Sequence, residues 1–423
     1  MSEKIFTVSI IGCGARGKDV YGNYMKKSPD RYKIVALCDI NRERLEMGKN
    51  DFDVDEENCF TDEDEFFKEK RSDILVIATQ DKDHVRNCLK ALRCGYDILM
   101  EKPITDDREE CKKILEAQEK YGGKILICHV LRYAPAFLKA AELIDSGKIG
   151  RLVAINSVEQ VAYWHQAHSY VRGNWRRSEE TTPMILAKCC HDLDLLQFYA
   201  KSPCKSISSV GDLTYFTEEN APEGAAERCT ECKYIDTCPY SAKRLYVERW
   251  KNTPNMLWPC TAITNERPLS EEVLTKAIKE GRFGRCVYHC DNNVVDHELT
   301  TMTFENGVKA TLTMTAFTHT GGRIMTFYGT LGEVDLCEHE NYIKLKQFGK
   351  EIETWNIKDL SEGGYGHGGG DTRLVNTLYD VLCGKSDNRT SLASSIESHL
   401  MGICAEESRL AGGKLIYVHP EKQ

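Results

Sequence analysis

The sequence contains no apolar run of the about eighteen residues needed to cross a membrane. Its first residues, Met1 to Lys4, lead directly into a strand-like run and not into the apolar core of a signal peptide. Basic side chains are not in excess, because 56 Lys and Arg stand against 65 Asp and Glu, for a formal net charge of -9. Without a basic face or an acidic tail, we expect a soluble, cytoplasmic protein that binds neither membrane nor nucleic acid.

Internal repeats and low-complexity segments are also missing, which leaves ordinary globular domains. The 423 residues exceed the roughly 100–200 residues of one typical domain, so we predict two. In residues 1–128, strand-like runs alternate with helical stretches, a pattern typical of a doubly wound parallel sheet of the Rossmann type. The predicted strands cover residues 5–11, 33–38, 74–78, 97–100 and 124–128.

The pattern changes after residue 128, and we assign residues 129–423 to a second α/β domain. Alternation of apolar and polar residues over 309–315 predicts a large, open and mostly antiparallel sheet with one uncovered face. Such a face often forms a subunit interface, so we expect a homodimer or homotetramer. Residues 214–293, rich in cysteine, charge and proline, form a predicted insertion. The other predictions are a helix at 135–146 and strands at 152–158, 294–304, 308–317 and 323–328.

A glycine-rich turn follows the first strand-like run. In a dinucleotide-binding turn, three glycines permit the tight bend, the approach of the pyrophosphate and the close packing of helix on strand. Asp39 ends the next strand, where a carboxylate accepts hydrogen bonds from ribose hydroxyls and repels a 2′-phosphate. The sequence therefore predicts bound NAD. The residues predicted to bind it are Gly12, Gly14, Ala15, Arg16, Gly17 and Asp39.

Two features leave alternatives open at this site. Asp39 also fits a plain turn residue before Asn41, and Arg42 and Arg44 leave room for NADP as the second choice of cofactor.

These pieces resemble the oxidoreductase family named after glucose-fructose oxidoreductase, inositol dehydrogenase and a rhizopine-catabolism protein, the Gfo/Idh/MocA family. The resemblance implies a Rossmann domain followed by an α/β domain with a large sheet, and hydride transfer between a sugar or polyol and nicotinamide. The matching segments are the glycine turn, Ala78-Thr79-Gln80 with His84, Glu101-Lys102-Pro103, Leu131 to Pro135, Ile144 to Gly150 and His191 to Asp194.

By the same resemblance, Lys102 and His191 fall at the family's catalytic positions, and Thr79, His84 and Glu101, with Lys102, line the cofactor. The chemistry agrees with this, because oxidation of a secondary alcohol needs a base for the hydroxyl proton, and a neutral imidazole suits that role. A lysine beside the nicotinamide can donate a hydrogen bond to the substrate oxygen.

Both residues also have a structural interpretation. Lys102 would be a surface lysine paired with Glu101, and His191 a buried histidine bonded to Asp194 or to the backbone.

One position departs from the family pattern. The family usually has an aspartate four residues before the histidine, where this chain has Ala187, followed by Lys188. Either Lys188 supplies the polar contact, or the proton relay differs from that of polyol dehydrogenases.

The segment 163–177 is dense in aromatic, imidazole and guanidinium groups, which suit the apolar and hydroxyl sides of a pyranose. The alternative is an aromatic connector that only packs on the sheet. A glycine-rich loop over 363–370 could close over the substrate as a lid. The predicted substrate-binding residues are Tyr133, Trp164, His168, Arg172, Trp175, Lys188, His191 and His367.

Nineteen cysteines are present, and many lie singly in apolar strands, as Cys38 does, which fits a reducing cytosol. Four of them fall in the predicted insertion, which has few apolar residues to form a core. A structural zinc site of four thiolates would stabilise it, and an iron-sulfur cluster or unligated thiols are the alternatives. The predicted ligands are Cys229, Cys232, Cys238 and Cys260, with Cys286-x3-Cys290 as a source of a replacement fourth ligand.

The sequence thus predicts an NAD-dependent dehydrogenase acting on a secondary hydroxyl of a sugar or glycoside, with the 3-hydroxyl as one candidate. A glycosidase that oxidises C3 transiently and expels the aglycone by elimination is an alternative. A nucleotide-binding sensor without chemistry is a third, which retention of Lys102 and His191 argues against.

Overall fold

The computed structural model describes residues 4–254, 257–360 and 367–420. The strands of the first domain are β1 Phe6–Ile11, β2 Tyr32–Cys38, β3 Cys59–Phe60, β4 Ile74–Ile77, β5 Asp97–Met100 and β6 Ile125–Ile127. They form a parallel sheet with the order β3-β2-β1-β4-β5-β6. The order reverses between β1 and β4, and in such sheets the crevice at the carboxyl ends of these strands receives the ligand. The predicted Rossmann fold is confirmed.

Helices cover both faces of this sheet, and all four side chains of β4 are fully buried. The α-helices of the chain are α1 Asn23–Lys26, α2 Arg42–Phe52, α3 Glu63–Phe66, α4 His84–Arg93, α5 Arg108–Tyr121, α6 Pro135–Asp145, α7 Tyr163–His165, α8 Met184–Ala187, α9 Cys190–Ala200, α10 Arg249–Asn252, α11 Cys260–Ile263, α12 Glu271–Glu280, α13 Ile357–Leu360, α14 Gly370–Leu382 and α15 Leu392–Leu410. Three segments are π-helical, namely Ala15–Gly22, Gln166–Arg172 and Lys243–Glu248. Short 3₁₀ turns occupy Glu56–Asn58, Asp81–Asp83, Val130–Tyr133, Asn174–Arg176, Glu218–Asn220, Cys229–Glu231, Arg282–Gly284 and His367–Gly369.

The second domain contains the strands β7 Leu152–Gln160, β8 Cys204–Asp212, β9 His297–Phe304, β10 Lys309–Thr315, β11 Gly322–Gly329, β12 Gly332–Cys337, β13 Tyr342–Gln347, β14 Glu353–Asn356 and β15 Ile416–Tyr417. They form one sheet in the order β14-β13-β12-β11-β7-β10-β9-β8-β15. Among the described strands, β7 and β10 are the parallel pair and the other neighbours are antiparallel. The predicted open, mostly antiparallel sheet is therefore confirmed.

One face of this sheet is covered and the other is not. On β10, Ala310, Leu312 and Met314 are buried, whereas Lys309 and Thr311 are exposed. The buried side chains pack toward α9 and α15 in a core that extends through both domains. The period-two pattern of β10 thus has the predicted physical cause.

Helix α14 returns from the end of the second domain to the first sheet. Its Tyr379 ring packs edge-on against Phe6 and Tyr32, and the Tyr32 hydroxyl donates to the carbonyl of Val375. Leu378 on the same helix is fully buried in this cluster. The first domain therefore completes its core with residues from far along the chain.

Residues 214–293, where described, contain few regular elements, and α12 is the longest of their helices. Their own apolar cluster is built around Tyr246, Leu274 and Phe283. In the part of the chain that the structure describes, we find no helix with both the length and the apolar character to span a bilayer.

Candidate active site

The glycine turn after β1 has the geometry that a bound dinucleotide requires. Gly12 has φ +90°, and a Cβ there would lie 2.3 Å from the carbonyl oxygen of Ala78. A Cβ on Gly17 would lie 2.0 Å from the Gly12 oxygen, whereas one on Gly14 would meet nothing closer than 3.8 Å. Two glycines therefore allow close packing and the third leaves the backbone open to an incoming group, so the turn fits a pyrophosphate.

Asp39 is buried at the end of β2 and bonds the turn directly. Its Oδ2 accepts from the backbone N–H of Cys13 at 2.7 Å, and its Oδ1 accepts from the N–H of Asn41 at 2.7 Å. The residue thus forms the turn before Asn41 and also presents a carboxylate beside the glycines. Each oxygen keeps a lone pair for a ribose hydroxyl. Arg44 lies over the same turn, with Nη1 3.8 Å from the Cβ position of Gly14.

Arg16 joins the glycine turn to β5 and to α14. Its Nε donates to Glu101 Oε1 at 2.5 Å, and its Nη2 donates to Asp371 Oδ1 at 2.7 Å and to the hydroxyl of Tyr21. Burial raises the pKa of Glu101, but Arg16 and Lys102 more than offset this and hold that pKa below its ordinary value. The predicted cofactor residues Arg16 and Glu101 therefore form one partly buried ion pair, and Ala15 is exposed at the start of the π-helical segment.

Lys102 and His191 lie close together, although they are far apart in sequence. The Lys102 Nζ donates to the carbonyl of Ala187 at 3.1 Å, at the end of α8 and one turn before His191. Burial, and next the charge of Lys102, lower the pKa of His191 well below its ordinary value. The ammonium therefore bonds the backbone of the residue that stands where the family usually has an aspartate.

The His191 imidazole keeps a free ring nitrogen. Its Nδ1 has no hydrogen-bond partner among the described residues, and the side chain is 6% exposed. Asp194 was the expected partner of His191 if that histidine were only structural. Instead, Asp194 accepts hydrogen bonds from Arg132 at 2.6 and 2.7 Å. A buried neutral imidazole with an unpaired nitrogen can accept a proton.

His367 reaches the same place from the loop before α14. Its ring centroid lies 5.8 Å from that of His191, and its Nδ1 lies 2.9 Å from Asp371 Oδ2. Of the predicted lid, residues 363–366 lie outside the described residues. His367 is therefore the described part of that loop which approaches the two catalytic candidates.

A buried ion cluster, which the sequence analysis did not identify, lies behind His191. Lys188 Nζ is 3.0 Å from Glu159 Oε1, and Arg323 Nη2 is 2.8 Å from Glu159 Oε2. Arg323 also donates to both oxygens of Asp192, at 2.8 and 3.1 Å. Burial raises the pKa of Asp192 to about 7. Lys188 therefore pairs with β7, and it does not replace the missing aspartate.

The loop after β4 contributes Asp81, which is not among the predicted site residues. Its carboxylate accepts from Trp175 Nε1 at 3.1 Å and from the Thr182 hydroxyl at 3.0 Å, so it links the domains. His84, predicted beside the cofactor, is buried with ring nitrogens 2.7 Å from the Pro103 oxygen and 3.3 Å from the Thr79 oxygen. The signal for Asp81 was its place at the carboxyl end of a buried strand.

His399 on α15 holds the loop that carries Lys102. The backbone N–H of Ile104 donates to His399 Nε2 at 2.8 Å, and His399 Nδ1 lies 2.7 Å from the Ser395 oxygen. Burial lowers the pKa of His399 to about 3, so its Nε2 stays an acceptor. Nothing in the local sequence of α15 indicated this contact.

Three predicted substrate residues point elsewhere. His168 stacks on Phe283 at 5.0 Å between ring centroids and bonds the Tyr246 hydroxyl at 2.9 Å, inside the insertion. Arg172 is fully buried in the same insertion, and Tyr133 is buried with its hydroxyl 3.0 Å from Thr390 Oγ1. For these residues, packing inside the protein accounts for the side chain.

Two residues of the aromatic segment lie nearer the site. Trp164 is half-buried under the guanidinium of Arg249, 3.8 Å from its ring centroid. His165, which we did not single out, is half-buried, and burial followed by the charge of Lys188 lowers its pKa well below the ordinary value. His165 is therefore near enough to Lys102 and His367 for their charges to act on it, and Trp164 stacks on His165 with ring centroids 5.5 Å apart.

The cysteines of the insertion divide into two groups, and this corrects one predicted ligand. Cys229, Cys232 and Cys238 line one cavity together with Cys286. Cys260 does not line it, because its thiol donates to the Tyr246 carbonyl at 3.4 Å. Cys286 therefore lines the cavity where the sequence analysis expected Cys260, and it is one of the two residues named there as a replacement. All nineteen cysteines carry free thiols.

Comparison with known proteins identifies two matching family models. The first, described as an oxidoreductase family with an NAD-binding Rossmann fold, matches residues 6–129. The second, described as a GFO/IDH/MocA C-terminal domain, matches residues 137–230. Residues 130–136, which separate the two matches, lie between the last strand of the first sheet and the first strand of the second.

Individual relatives are distant. Oxidoreductase YteT of Bacillus subtilis is 23% identical over 413 residues, covering 91% of this chain and 94% of its own. The 2,7-anhydro-N-acetylneuraminate hydratase of Mediterraneibacter gnavus is 24% identical over 203 residues, or 48% of this chain and 51% of that protein. The solved WlbA dehydrogenase of Chromobacterium violaceum, in complex with NADH and UDP-GlcNAcA, superposes with a TM-score of 0.67 at 14% identity, covering 99% of this chain and 97% of that one. At this identity the superposition establishes the fold.

Proposed function

The chain belongs to the GFO/IDH/MocA family of oxidoreductases, and on that premise we propose that it is an NAD-dependent enzyme acting on a sugar or glycoside. The reaction is hydride transfer between a secondary hydroxyl of the substrate and nicotinamide, with the 3-hydroxyl as the first position to test. One observation carries the proposal: the Lys102 ammonium meets the segment that carries His191, beside the crevice of the first sheet.

The residues at the carboxyl edge of the first sheet fit NAD. Gly14 offers an open backbone to the pyrophosphate, and Asp39 offers carboxylate lone pairs to the ribose while it repels a 2′-phosphate. When bound, the nicotinamide ring accepts or returns the hydride. Arg44 beside Gly14 supplies the positive charge that weakens this preference for NAD over NADP.

His191 is suited to take the hydroxyl proton. Its lowered pKa keeps the imidazole neutral at physiological pH, and its Nδ1 is unpaired among the described residues. Because Ala187 stands one turn earlier, no carboxylate from that position accepts the proton in turn. A proton taken up by His191 therefore leaves by return to the substrate or by transfer to water, in keeping with the lowered pKa of the imidazole.

Lys102 is suited to hold the substrate oxygen. Its ammonium now donates to a single backbone carbonyl, so it has two further N–H groups for a hydroxyl or carbonyl oxygen. A positive charge at this place stabilises the alkoxide character that develops as the hydride leaves. The same charge keeps the neighbouring imidazole neutral, so the two residues act as a pair.

The residues that the second domain places around His191 fit a hydroxylated substrate. Lys188, His165 and His367 place polar groups around His191, and the half-buried Trp164 and Trp175 offer apolar rings. Sugars combine these two kinds of surface. Two relatives carry names that point the same way, because one is a hydratase of an anhydro-sugar acid and one was solved with a nucleotide sugar.

A second candidate is a glycosidase that oxidises C3 transiently, eliminates the aglycone, adds water and returns the hydride. Two observations favour it: the carboxylate relay is missing at Ala187, and one relative is named a hydratase, not a dehydrogenase. The net reaction leaves the cofactor unchanged. It therefore predicts release of the aglycone without accumulation of NADH.

One experiment separates these functions. Purified protein is incubated with NAD and a panel of inositols, aldoses, uronic acids and nitrophenyl glycosides, and NADH absorbance and aglycone release are read together. A dehydrogenase accumulates NADH, and the glycosidase releases aglycone without accumulation of NADH. Neither signal with any panel member, despite NAD binding, would favour the sensor.

The uncovered face of the second sheet supports the further proposal that chains pair there. Leu299 and Tyr328 on that face are 49% and 38% exposed. Light scattering of the wild type and of Tyr328→Lys tests this, and pairing there predicts a smaller assembly for the variant.

A further inference from the structure

The cysteine insertion encloses a cavity that the proposed reaction does not use. Its volume is about 30 Å³, and its lining includes the side chains of Cys229, Cys232, Cys238 and Cys286. A space of this size holds at least one water molecule. We propose that these four thiolates bind an iron-sulfur cluster of the four-iron class.

The spacing of the sulfurs argues for a cluster over a single ion. In a zinc site of four thiolates the metal lies about 2.3 Å from each sulfur, which puts the sulfurs about 3.8 Å apart and leaves no cavity between them. Among the described residues, no three of these thiols lie within 4.8 Å of one another. A cluster fills a wider space, because iron and sulfide stand between the ligands.

A buried charge provides the second, independent argument. Arg172 is fully buried, and within the described part of the chain no carboxylate forms an ion pair with it. Its Nη1 has no hydrogen-bond partner there, and its Nη2 donates to Cys229 Sγ at 3.5 Å. A buried guanidinium requires a compensating negative charge. Four thiolates around a cluster supply one, and N–H donors to the sulfurs are usual around such clusters.

The same Arg172 is already fixed by the loops that carry the ligands. Its Nε donates to the carbonyl of Arg285 at 2.6 Å, next to Cys286, and its Nη2 donates to the carbonyl of Tyr240 at 2.8 Å, just after Cys238. Arg172 therefore holds the ligand loops together and faces the space that the cluster would fill.

Two other cysteines of the insertion serve as matched controls. Cys260 donates to the Tyr246 carbonyl, and Cys290 donates to the Cys286 carbonyl at 3.1 Å. Neither lines the cavity. A cluster at the proposed site therefore needs neither thiol.

The test uses the full chain purified without oxygen. We expect about four iron and four acid-labile sulfide per chain, with a broad visible absorbance. Cys229→Ser and Cys286→Ser should lose most of this iron and absorbance, whereas Cys260→Ser and Cys290→Ser should keep the wild-type amounts. One zinc per chain without iron, or no metal, would overturn the proposal, and so would equal loss in the control variants.

A measurement on the wild type keeps the proposal testable where a ligand variant does not fold. Reduced protein is examined by electron paramagnetic resonance, and native thiols are counted by alkylation before and after acid release of iron. A cluster gives a low-temperature signal and protects four thiols that react only after release. Four cavity cysteines that react at once in the iron-containing protein would contradict it.

Discussion

The two walls of the candidate active site are built in different ways. The wall from the first domain consists of short loops directly after β1, β2, β4 and β5, and its groups are backbone amides, Asp39 and the Lys102 ammonium. The wall from the second domain is backed by a buried ion cluster, in which Arg323 and Asp192 lie 131 positions apart in sequence. The first wall leaves its polar groups open to a ligand, whereas the second has already paired most of its charges.

We therefore expect the two walls to have different roles in the reaction. The first wall sets which cofactor binds and how the reaction proceeds, and the rim of the second wall sets which substrate fits. Substitutions in the first wall should therefore change kcat or cofactor preference, and substitutions in the second should change the substrate KM.

The largest effect is expected from Lys102→Met. Removing the ammonium takes away the donor to the substrate oxygen, so we expect kcat/KM to fall about 10³-fold. The pKa of His191 should rise, because Lys102 is the second cause that lowers it after burial. The measurement is steady-state turnover as a function of pH, with NAD binding by fluorescence.

The control for Lys102 is Lys113→Met, which removes an exposed lysine of α5. It should keep wild-type turnover. Unchanged turnover in Lys102→Met would refute the catalytic assignment.

The next effect tests the cofactor. Asp39→Ser removes the carboxylate that repels a 2′-phosphate, so the ratio of kcat/KM for NADP over NAD should rise about 10- to 100-fold. Arg44, close to Gly14, should contribute to the gain. Asp30→Ser, at an exposed position before β2, should leave the ratio unchanged. A variant that loses both cofactors equally would mean that Asp39 only forms the turn.

A smaller effect is expected at the second wall. Lys188→Met leaves the buried Glu159 with Arg323 alone, and we expect about a tenfold rise in substrate KM with kcat little changed. Lys205→Met, at an exposed position of β8, is the control. A fall confined to kcat would contradict the expectation that the second wall acts on substrate binding, because Lys188 would then act on the chemical step.

The smallest effect is on the pH dependence of stability, and it concerns His399. This residue of α15 bonds the loop that carries Lys102. Its pKa of about 3 in the folded protein lies below the ordinary value, so the unfolded chain binds the proton first as the pH falls below about 6.5. Stability is therefore lost on acidification. His399→Gln keeps an acceptor for the N–H of Ile104. Between pH 8 and pH 6, the free energy of unfolding of this variant should fall by about 1 kcal/mol less than that of the wild type.

Urea unfolding at pH 8 and pH 6 measures this difference. His339→Gln, at an exposed position of the hairpin after β12, should keep the wild-type difference. An equal pH dependence in His399→Gln would show that the other buried histidines account for the acid sensitivity.

The first wall could be predicted because its signals are local. Gly12, Gly17 and Asp39 follow their strands directly, and the chemistry of each position can be read from a few neighbours. The strand β3, with two residues, was missed because so short a run carries no periodicity. Lys102 and His191 were matched only through the family resemblance.

The second wall could not be predicted in the same way. Glu159 and Arg323 face each other only because β7 and β11 pair in one register, which no local pattern reveals. The strands β12 to β14 were missed because they alternate charged and apolar residues in short hairpins. His168 and Arg172 have the side chains of a sugar site, but their burial against the insertion depends on tertiary packing.

The return of α14 to the first sheet bears on the order of synthesis. Asp371 of that helix pairs with Arg16, and Tyr379 packs on Phe6. The core of the first domain is therefore completed by residues that are synthesised near the end of translation. A nascent chain that has emerged only through β6 lacks this part of its core. Ribosome-bound intermediates of this protein should therefore expose the apolar flank of β1 and recruit chaperones until the last hundred residues have left the exit tunnel.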